Sequence, residues 1–308
     1  MALTGRISEE VTARRGALAH AFASASPFRH LVIDGFFESA YAERLVAQFP
    51  PFDRGNSLSE DGRPGSKSTF EQVRALGDAY AGLDDLVQGD DFLQLLGAVI
   101  GIDGLLYDPW YLGGGTHDNR HTGGLEAHVD FNFHPLQRWQ RRLNLIVYLN
   151  PEWQEEWGGA LELYRDPGQA PEQVIAPVFN RCVVFETHGH SWHGFSRIAL
   201  PEIRRDLSRK SIALYFYTPA MEVEAMHAAH STVYVDRPLP DYRPGHALTE
   251  EEIADLRRLV GDRDNRIAQQ YREISKLMTL VRAHERGFTG SMLYAARRLQ
   301  ARLGRKRG

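Results

Sequence analysis

Two residues in the stretch Leu125-Glu-Ala-His-Val-Asp-Phe-Asn, His128 and Asp130, stand at a spacing that suits metal chemistry. Alternate residues of a β-strand share a face, so this imidazole and carboxylate would look into one cavity. Two histidines and one carboxylate fill three positions around a divalent iron and leave three open for substrates. The second imidazole has to come from another strand. Arg181-Cys-Val-Val-Phe-Glu-Thr-His-Gly-His-Ser-Trp-His runs an apolar strand into a turn that carries His188, His190 and His193, and each of the three is a candidate. Farther on, Arg209 stands just before the apolar run Ser211-Ile-Ala-Leu-Tyr-Phe-Tyr. An arginine brought inside a barrel is costly unless an anion meets it. Its forked guanidinium matches the carboxylate of a small acidic cosubstrate.

The elements that must position these groups are short and β-like. Leu143-Asn-Leu-Ile-Val-Tyr-Leu, Ala160-Leu-Glu-Leu-Tyr, Arg181-Cys-Val-Val-Phe-Glu and the Ser211 run are each bounded by turn residues such as Asn150-Pro151, Gly158-Gly159 and Asp166-Pro167-Gly168. No helical pattern separates them, so an antiparallel barrel or jelly roll is expected rather than parallel winding. Before them, helices are expected over 6–25, 39–48 and 91–100, a strand over His30–Ile33, and a loop over 52–69, where Gly, Ser, Asp and Arg are frequent.

The composition fits a folded protein. Of 308 residues 43% are hydrophobic and 25% charged, which excludes disorder throughout. The single cysteine, Cys182, excludes an intramolecular disulfide scaffold and a multi-thiolate metal site. With no signal-like N-terminal stretch and no apolar run near the ~18 residues of a membrane span, a cytoplasmic location is expected. The net charge of −4 hides an asymmetry: residues 249–308 hold 14 basic and 8 acidic side chains, net +6, and the rest is net −10. Ile253, Val260, Ile267, Ile274 and Val281 recur every seven residues, as the a positions of a coiled coil do. The d positions are mixed, with Leu256 and Leu277 beside Arg263 and Gln270, so a homodimer through 253–281 and a helix packed on its own barrel both stay open. A last amphipathic helix is expected over Ser291–Leu303. Its arginines suit peripheral contact with an anionic surface. A nucleic-acid partner is not expected, because the body is acidic.

The order His-x-Asp, about 60 residues, His, about 15 residues, Arg resembles the iron(II)/2-oxoglutarate-dependent dioxygenases, in their prolyl-4-hydroxylase-like branch. The matching segments are Tyr111-Leu-Gly-Gly-Gly-Thr-His, Leu125 to Asn132, Arg142-Leu-Asn-Leu-Ile-Val-Tyr-Leu-Asn, Trp157-Gly-Gly-Ala-Leu-Glu-Leu, Trp192-His-Gly and Arg209-Lys-Ser-Ile-Ala-Leu-Tyr. They span about a third of the chain.

The resemblance implies a mainly β core, a double-stranded β-helix of the jelly-roll or cupin-like kind. N-terminal supporting helices and a C-terminal helical tail would flank it. It divides the chain into 1–108 as support, 109–220 as catalytic core, 221–248 as linker or wrapped loop, and 249–308 as tail. It implies His128, Asp130 and His193 as iron ligands. Arg209 would be the anchor of the distal carboxylate of 2-oxoglutarate, with Tyr148 and Tyr111 near that cosubstrate. The stretch Ala199–Ser208 is longer than the family's usual spacing and makes Arg204 and Arg205 lesser candidates. Dioxygen would be the second cosubstrate and ascorbate an auxiliary reductant. A retained Asp130 implies hydroxylation rather than halogenation. The prime substrate is left open among a protein prolyl side chain, a sugar nucleotide, a lipid-linked glycan and an amino acid. Its cavity mouth is expected at 52–77, 131–141 and 152–157, with Phe131, Phe133, Trp139 and Trp153 as aromatic walls. The alternatives are a non-catalytic barrel acting through its tail, and another metal-dependent cupin-type enzyme.

Overall fold

The structure, a computed structural model, describes residues 3–58, 64–137, 139–219, 230–235, 239–240 and 242–286. It forms two compact units, 1–237 and 238–308. The first unit opens with α1 (Glu9–Ala13), α2 (Arg15–Ser24), β1 (His30–Ile33) and α3 (Ser39–Ala47). The helix expected over 6–25 is therefore broken at Arg14. Next come β2 (Asn56–Leu58), β3 (Pro64–Phe70), α4 (Asp78–Val87), α5 (Asp90–Ile100), β4 (Leu106–Tyr107), β5 (Gly115–Asn119) and β6 (Leu125–Val129). The barrel is completed by β7 (Trp139–Tyr148), β8 (Leu161–Tyr164), β9 (Gln173–Ile175), β10 (Cys182–Glu186), β11 (Trp192–Phe195), β12 (Arg209–Pro219) and β13 (Val233–Tyr234).

Two antiparallel sheets face each other as a double-stranded β-helix. The larger runs β1-β10-β7-β12-β5-β3-β2, with β4 also on β12, and the smaller runs β13-β6-β11-β8-β9. The central strands of the larger sheet are covered on both faces, which explains their nearly unbroken apolar runs. Leu143, Leu145 and Val147 of β7, with Ile212, Leu214 and Phe216 of β12, face the helices and are at most 4% exposed. The alternate residues Asn144, Ile146, Ser211, Ala213 and Tyr215 face the space between the sheets.

Against the helical layer lie Leu18 and Phe22 of α2, Tyr80 and Leu83 of α4, and Phe92 and Leu96 of α5. Helix α5 stops at Gly101, whose φ of 74° is open to glycine at little cost and lets Ile102 N–H return to the Gly97 carbonyl.

Two parts of this layer differ from expectation. The polar stretch 52–69 is not all loop: β3 pairs with β5 from Lys67 to Phe70 and forms one wall of the barrel. It lies between β5 and β2, and backbone pairing on both sides, not side-chain propensity, holds the chain extended. Asp78–Val87, for which the sequence suggested no element, is helical. Its apolar residues Ala79, Tyr80, Leu83, Leu86 and Val87 repeat with helical period and are buried.

In the second unit, α6 (Glu250–Arg286) starts at a capping box: Glu252 N–H donates to Thr249 Oγ1, and Thr249 N–H to Glu252 Oε2. Val260, Ile267 and Ile274 are 45–50% exposed. The side chain of Val281 and the helix expected over 291–303 lie outside the described residues. Among the described residues, no helix is long and apolar enough to cross a membrane.

Candidate metal centre and cosubstrate pocket

Strands β6 and β11 pair with His193 directly opposite His128, and the register then shifts before Phe195 meets Leu125. That irregularity brings backbone close to Gly194, where any Cβ would stand 2.5 Å from the Leu125 carbonyl oxygen. His128, Asp130 and His193 thereby converge, each offering a ligand atom within 4.8 Å of the others. His188 and His190, the other candidates, stay outside: His188 lies 3.3 Å from Glu186, and His190 is exposed.

Both imidazoles of the cluster are oriented by backbone carbonyls. His128 Nδ1 donates to Glu126 O and His193 Nδ1 to Ser191 O, each at 2.9 Å. A carbonyl only accepts, so each Nδ1 carries the proton and each Nε2 presents its lone pair to Asp130. Burial, reinforced by His193, holds the His128 pKa at about 3, and burial also lowers that of His193. Both rings are thus the neutral ligands that a metal requires. Burial works to raise the Asp130 carboxyl, but the Arg141 guanidinium, with a hydrogen bond from Asn144, outweighs it and holds the group well below the usual range. Asp130 Oδ2 also accepts from Asn144 Nδ2 at 2.7 Å and lies 3.2 Å from Arg141 Nη2. A fixed carboxylate and two neutral, carbonyl-anchored imidazoles fit a divalent iron, with supporting groups already in place.

The three residues line a cavity of about 200 Å³ whose walls also include Lys67, His117, Asn119, Arg141, Asn144, Arg209 and Tyr234. Arg209 is 4% exposed; its Nε donates to Gly159 O at 2.5 Å and its Nη2 to Tyr148 Oη at 3.3 Å. The guanidinium also lies over the Phe195 ring, 4.2 Å from its centroid. Among the described residues no carboxylate pairs with it, so this buried cation fits an incoming anion. The lesser candidates are elsewhere: Arg204 pairs with Glu152 over Trp157, and Arg205 is exposed.

Tyr111 is a correction. Its hydroxyl donates to Asp84 Oδ1 at 2.8 Å and it does not line the cavity. With a φ of 52°, its backbone turns the ring into the helical layer rather than toward Arg209. The expected mouth is partly right. Lys67, Phe131 and Arg141 line the cavity, but nothing from 152–157 does. Trp139 instead packs on Trp110, His134 and Tyr217, and Trp153 on Trp157. Asn144 and Lys67 went unmarked in the sequence. Asn144 had a signal, being the lone polar residue in the run Leu143–Val147; Lys67 had none.

Residues 115–217, the stretch that carries this geometry, match the family model described as the 2OG-Fe(II) oxygenase superfamily. This core is a 2OG-Fe(II) oxygenase domain. The oxygenase core is also similar to mouse (Mus musculus) prolyl 3-hydroxylase OGFOD1, with 32% identity over 117 residues, 37% of this chain. The chain spans only 19% of that relative's length. Among solved structures, a prolyl hydroxylase from Trichoplax adhaerens, in complex with a hypoxia-inducible-factor oxygen degradation domain peptide, matches with a TM-score of 0.50. Identity there is 16%, with 72% of this chain and 97% of that one covered. Prolyl 4-hydroxylase from Phytophthora capsici gives a TM-score of 0.48 at 18% identity, covering 83% of this chain and 76% of that one. At 16% identity the Trichoplax structure bears on the fold alone.

Proposed function

We propose that the protein is an Fe(II)/2-oxoglutarate-dependent dioxygenase that hydroxylates a C–H bond of a prime substrate. One observation carries this reading: the His128–Asp130–His193 cluster and Arg209, which meets no carboxylate among the described residues, face the same cavity. In the roles so assigned, the cluster holds iron and Arg209, steadied by Tyr148, holds the distal carboxylate of 2-oxoglutarate. When bound, the metal and cosubstrates supply the chemistry by which 2-oxoglutarate, dioxygen and R–H become succinate, carbon dioxide and R–OH.

The chain's own residues orient and exclude. Glu126 and Ser191 carbonyls fix the imidazole tautomers, and Arg141 and Asn144 keep Asp130 ionised and aimed. Ile146, Leu161 and Phe195 withhold water from the cosubstrate site. A prolyl side chain in a peptide, the substrate class named for the relative, is the first to screen. The buried thiol of Cys182 suits a reducing, cytoplasmic setting. Divisions at 108, 220 and 248 remain our proposal for the roles along the chain. The test is succinate release from 2-oxoglutarate by purified protein. Turnover is expected only with Fe(II), and its loss is expected in His128→Ala and Asp130→Ala. Metal-independent turnover, or full turnover in either variant, would refute the assignment.

A further inference from the structure

The cavity carries more positive charge than its expected occupants can match. Lys67, Arg141 and Arg209 line it, against one carboxylate, Asp130. A divalent metal and a dianionic cosubstrate cancel each other, so two positive charges stay unmet. This count rests on the reading above, in which the cluster holds iron and Arg209 holds 2-oxoglutarate.

The unmet charges can be located. Lys67 lies on β3 opposite Asn119 of β5, which in turn lies opposite Arg209 of β12. Arg209 turns to Gly159 and Tyr148. Lys67 is exposed in the cavity wall, and among the described residues no carboxylate lies within ion-pair distance of it. Arg141 spends Nε and Nη2 on Asn144 and Asp130, but its Nη1 is fully buried with no hydrogen-bond partner. The guanidinium is fixed, with the Tyr215 and Phe131 ring centroids 3.6 and 4.5 Å away. A buried charged donor left without an acceptor is costly; Arg141 is met by Asp130, so the cation that a neutral substrate would leave unmet is Lys67.

We propose that the prime substrate is anionic, and that Lys67 receives its carboxylate or phosphate group beside the metal cluster, in the field of the buried Arg141. Leu125, Phe131 and Tyr234 then enclose the carbon skeleton that is oxidised.

The test uses full-length protein loaded with Mn(II) and 2-oxoglutarate. It is titrated by calorimetry with sulfate, with acetate, and with dimethyl sulfone as a neutral analogue of sulfate. Wild type is expected to bind at least one of the anions saturably and not the sulfone. Lys67→Gln should weaken that binding about tenfold, the loss of one charge-assisted contact, and Lys67→Arg should restore it. Affinity for 2-oxoglutarate should be unchanged in both variants. Absent anion binding, or equal binding in Lys67→Gln, would overturn the proposal. A parallel fall in 2-oxoglutarate affinity would give Lys67 to the cosubstrate and overturn it too. Wild type that takes up neither Mn(II) nor 2-oxoglutarate would instead refute the iron reading, and this proposal with it.

Discussion

Arg141 places its guanidinium 3.2 Å from Asp130 Oδ2, a cation only 1% exposed held against the carboxylate of the metal cluster. Without metal, this arginine is the main counter-charge of Asp130. Breaking a buried pair by removing one partner typically costs about 3–5 kcal/mol. Arg141→Met should therefore lower the urea midpoint of the metal-free protein strongly. Mn(II) should recover part of the loss, because the metal supplies the missing positive charge. Equal destabilisation with and without Mn(II) would show that Arg141 acts by packing alone.

Asn144 aims the same carboxylate through its 2.7 Å hydrogen bond. Asn144→Ala leaves all three proposed ligands in place, yet should weaken Mn(II) binding about 10–100-fold, as loss of supporting hydrogen bonds does at metal sites. Calorimetric titration with Mn(II) measures this directly. Unchanged affinity would separate Asn144 from the metal centre.

Arg209 and Tyr148 should act on the cosubstrate and not on the metal. Arg209→Met is expected to weaken 2-oxoglutarate binding by about tenfold or more, and Tyr148→Phe by about three- to tenfold, the range of one hydrogen bond. Mn(II) affinity should stay constant in both. Tyr111→Phe should leave 2-oxoglutarate affinity unaltered, since its hydroxyl serves Asp84.

Acid should loosen the join between β1 and β10. Burial works to raise the Glu186 carboxyl, but hydrogen bonds from His188 and Arg29 outweigh it and hold the pKa at about 2, below the ordinary 4.5. A depressed carboxyl contributes stability that is present above its unfolded pKa and is lost as pH falls from about 4.5 toward 2. Glu186→Gln should then lower Tm at pH 7 and narrow the Tm gap between pH 7 and pH 3. An undiminished gap would place the acid sensitivity elsewhere.

Helix α6 offers a separate test. Its heptad residues Val260, Ile267 and Ile274 stand exposed at a seven-residue spacing, as in a two-stranded coil. Sedimentation of the full chain should show a dimer, and a chain ending at His246 a monomer. The same state in both would exclude pairing through α6.

Much of the site was legible because its parts obey local rules. His-x-Asp at a strand end brings two ligands together, His128 within β6 and Asp130 one residue past it, and an arginine opening an apolar strand marks a buried cation. What the sequence left open was which imidazole of the turn 188–193 returns to that face. The choice depends on the register of β11 against β6, a long-range pairing that local spacing does not encode. Lys67 and β3 were hidden for a related reason. A strand of Gly, Ser, Lys and Thr takes its conformation from its partners β5 and β2 rather than from its own residues. Tyr111 misled because a tyrosine near a barrel reads the same whether its hydroxyl meets a cosubstrate or a buried aspartate.

The most direct measurement of the central claim is an anaerobic titration of the protein with Fe(II) and 2-oxoglutarate, followed by visible absorption. A chelated Fe(II)–keto acid pair gives a charge-transfer band that neither component gives alone. The band is expected in wild type, absent in His128→Ala and His193→Ala, and unaffected in His188→Ala. No band in wild type, or a band that survives loss of His128 or His193, would contradict the assignment of this cluster as an iron centre.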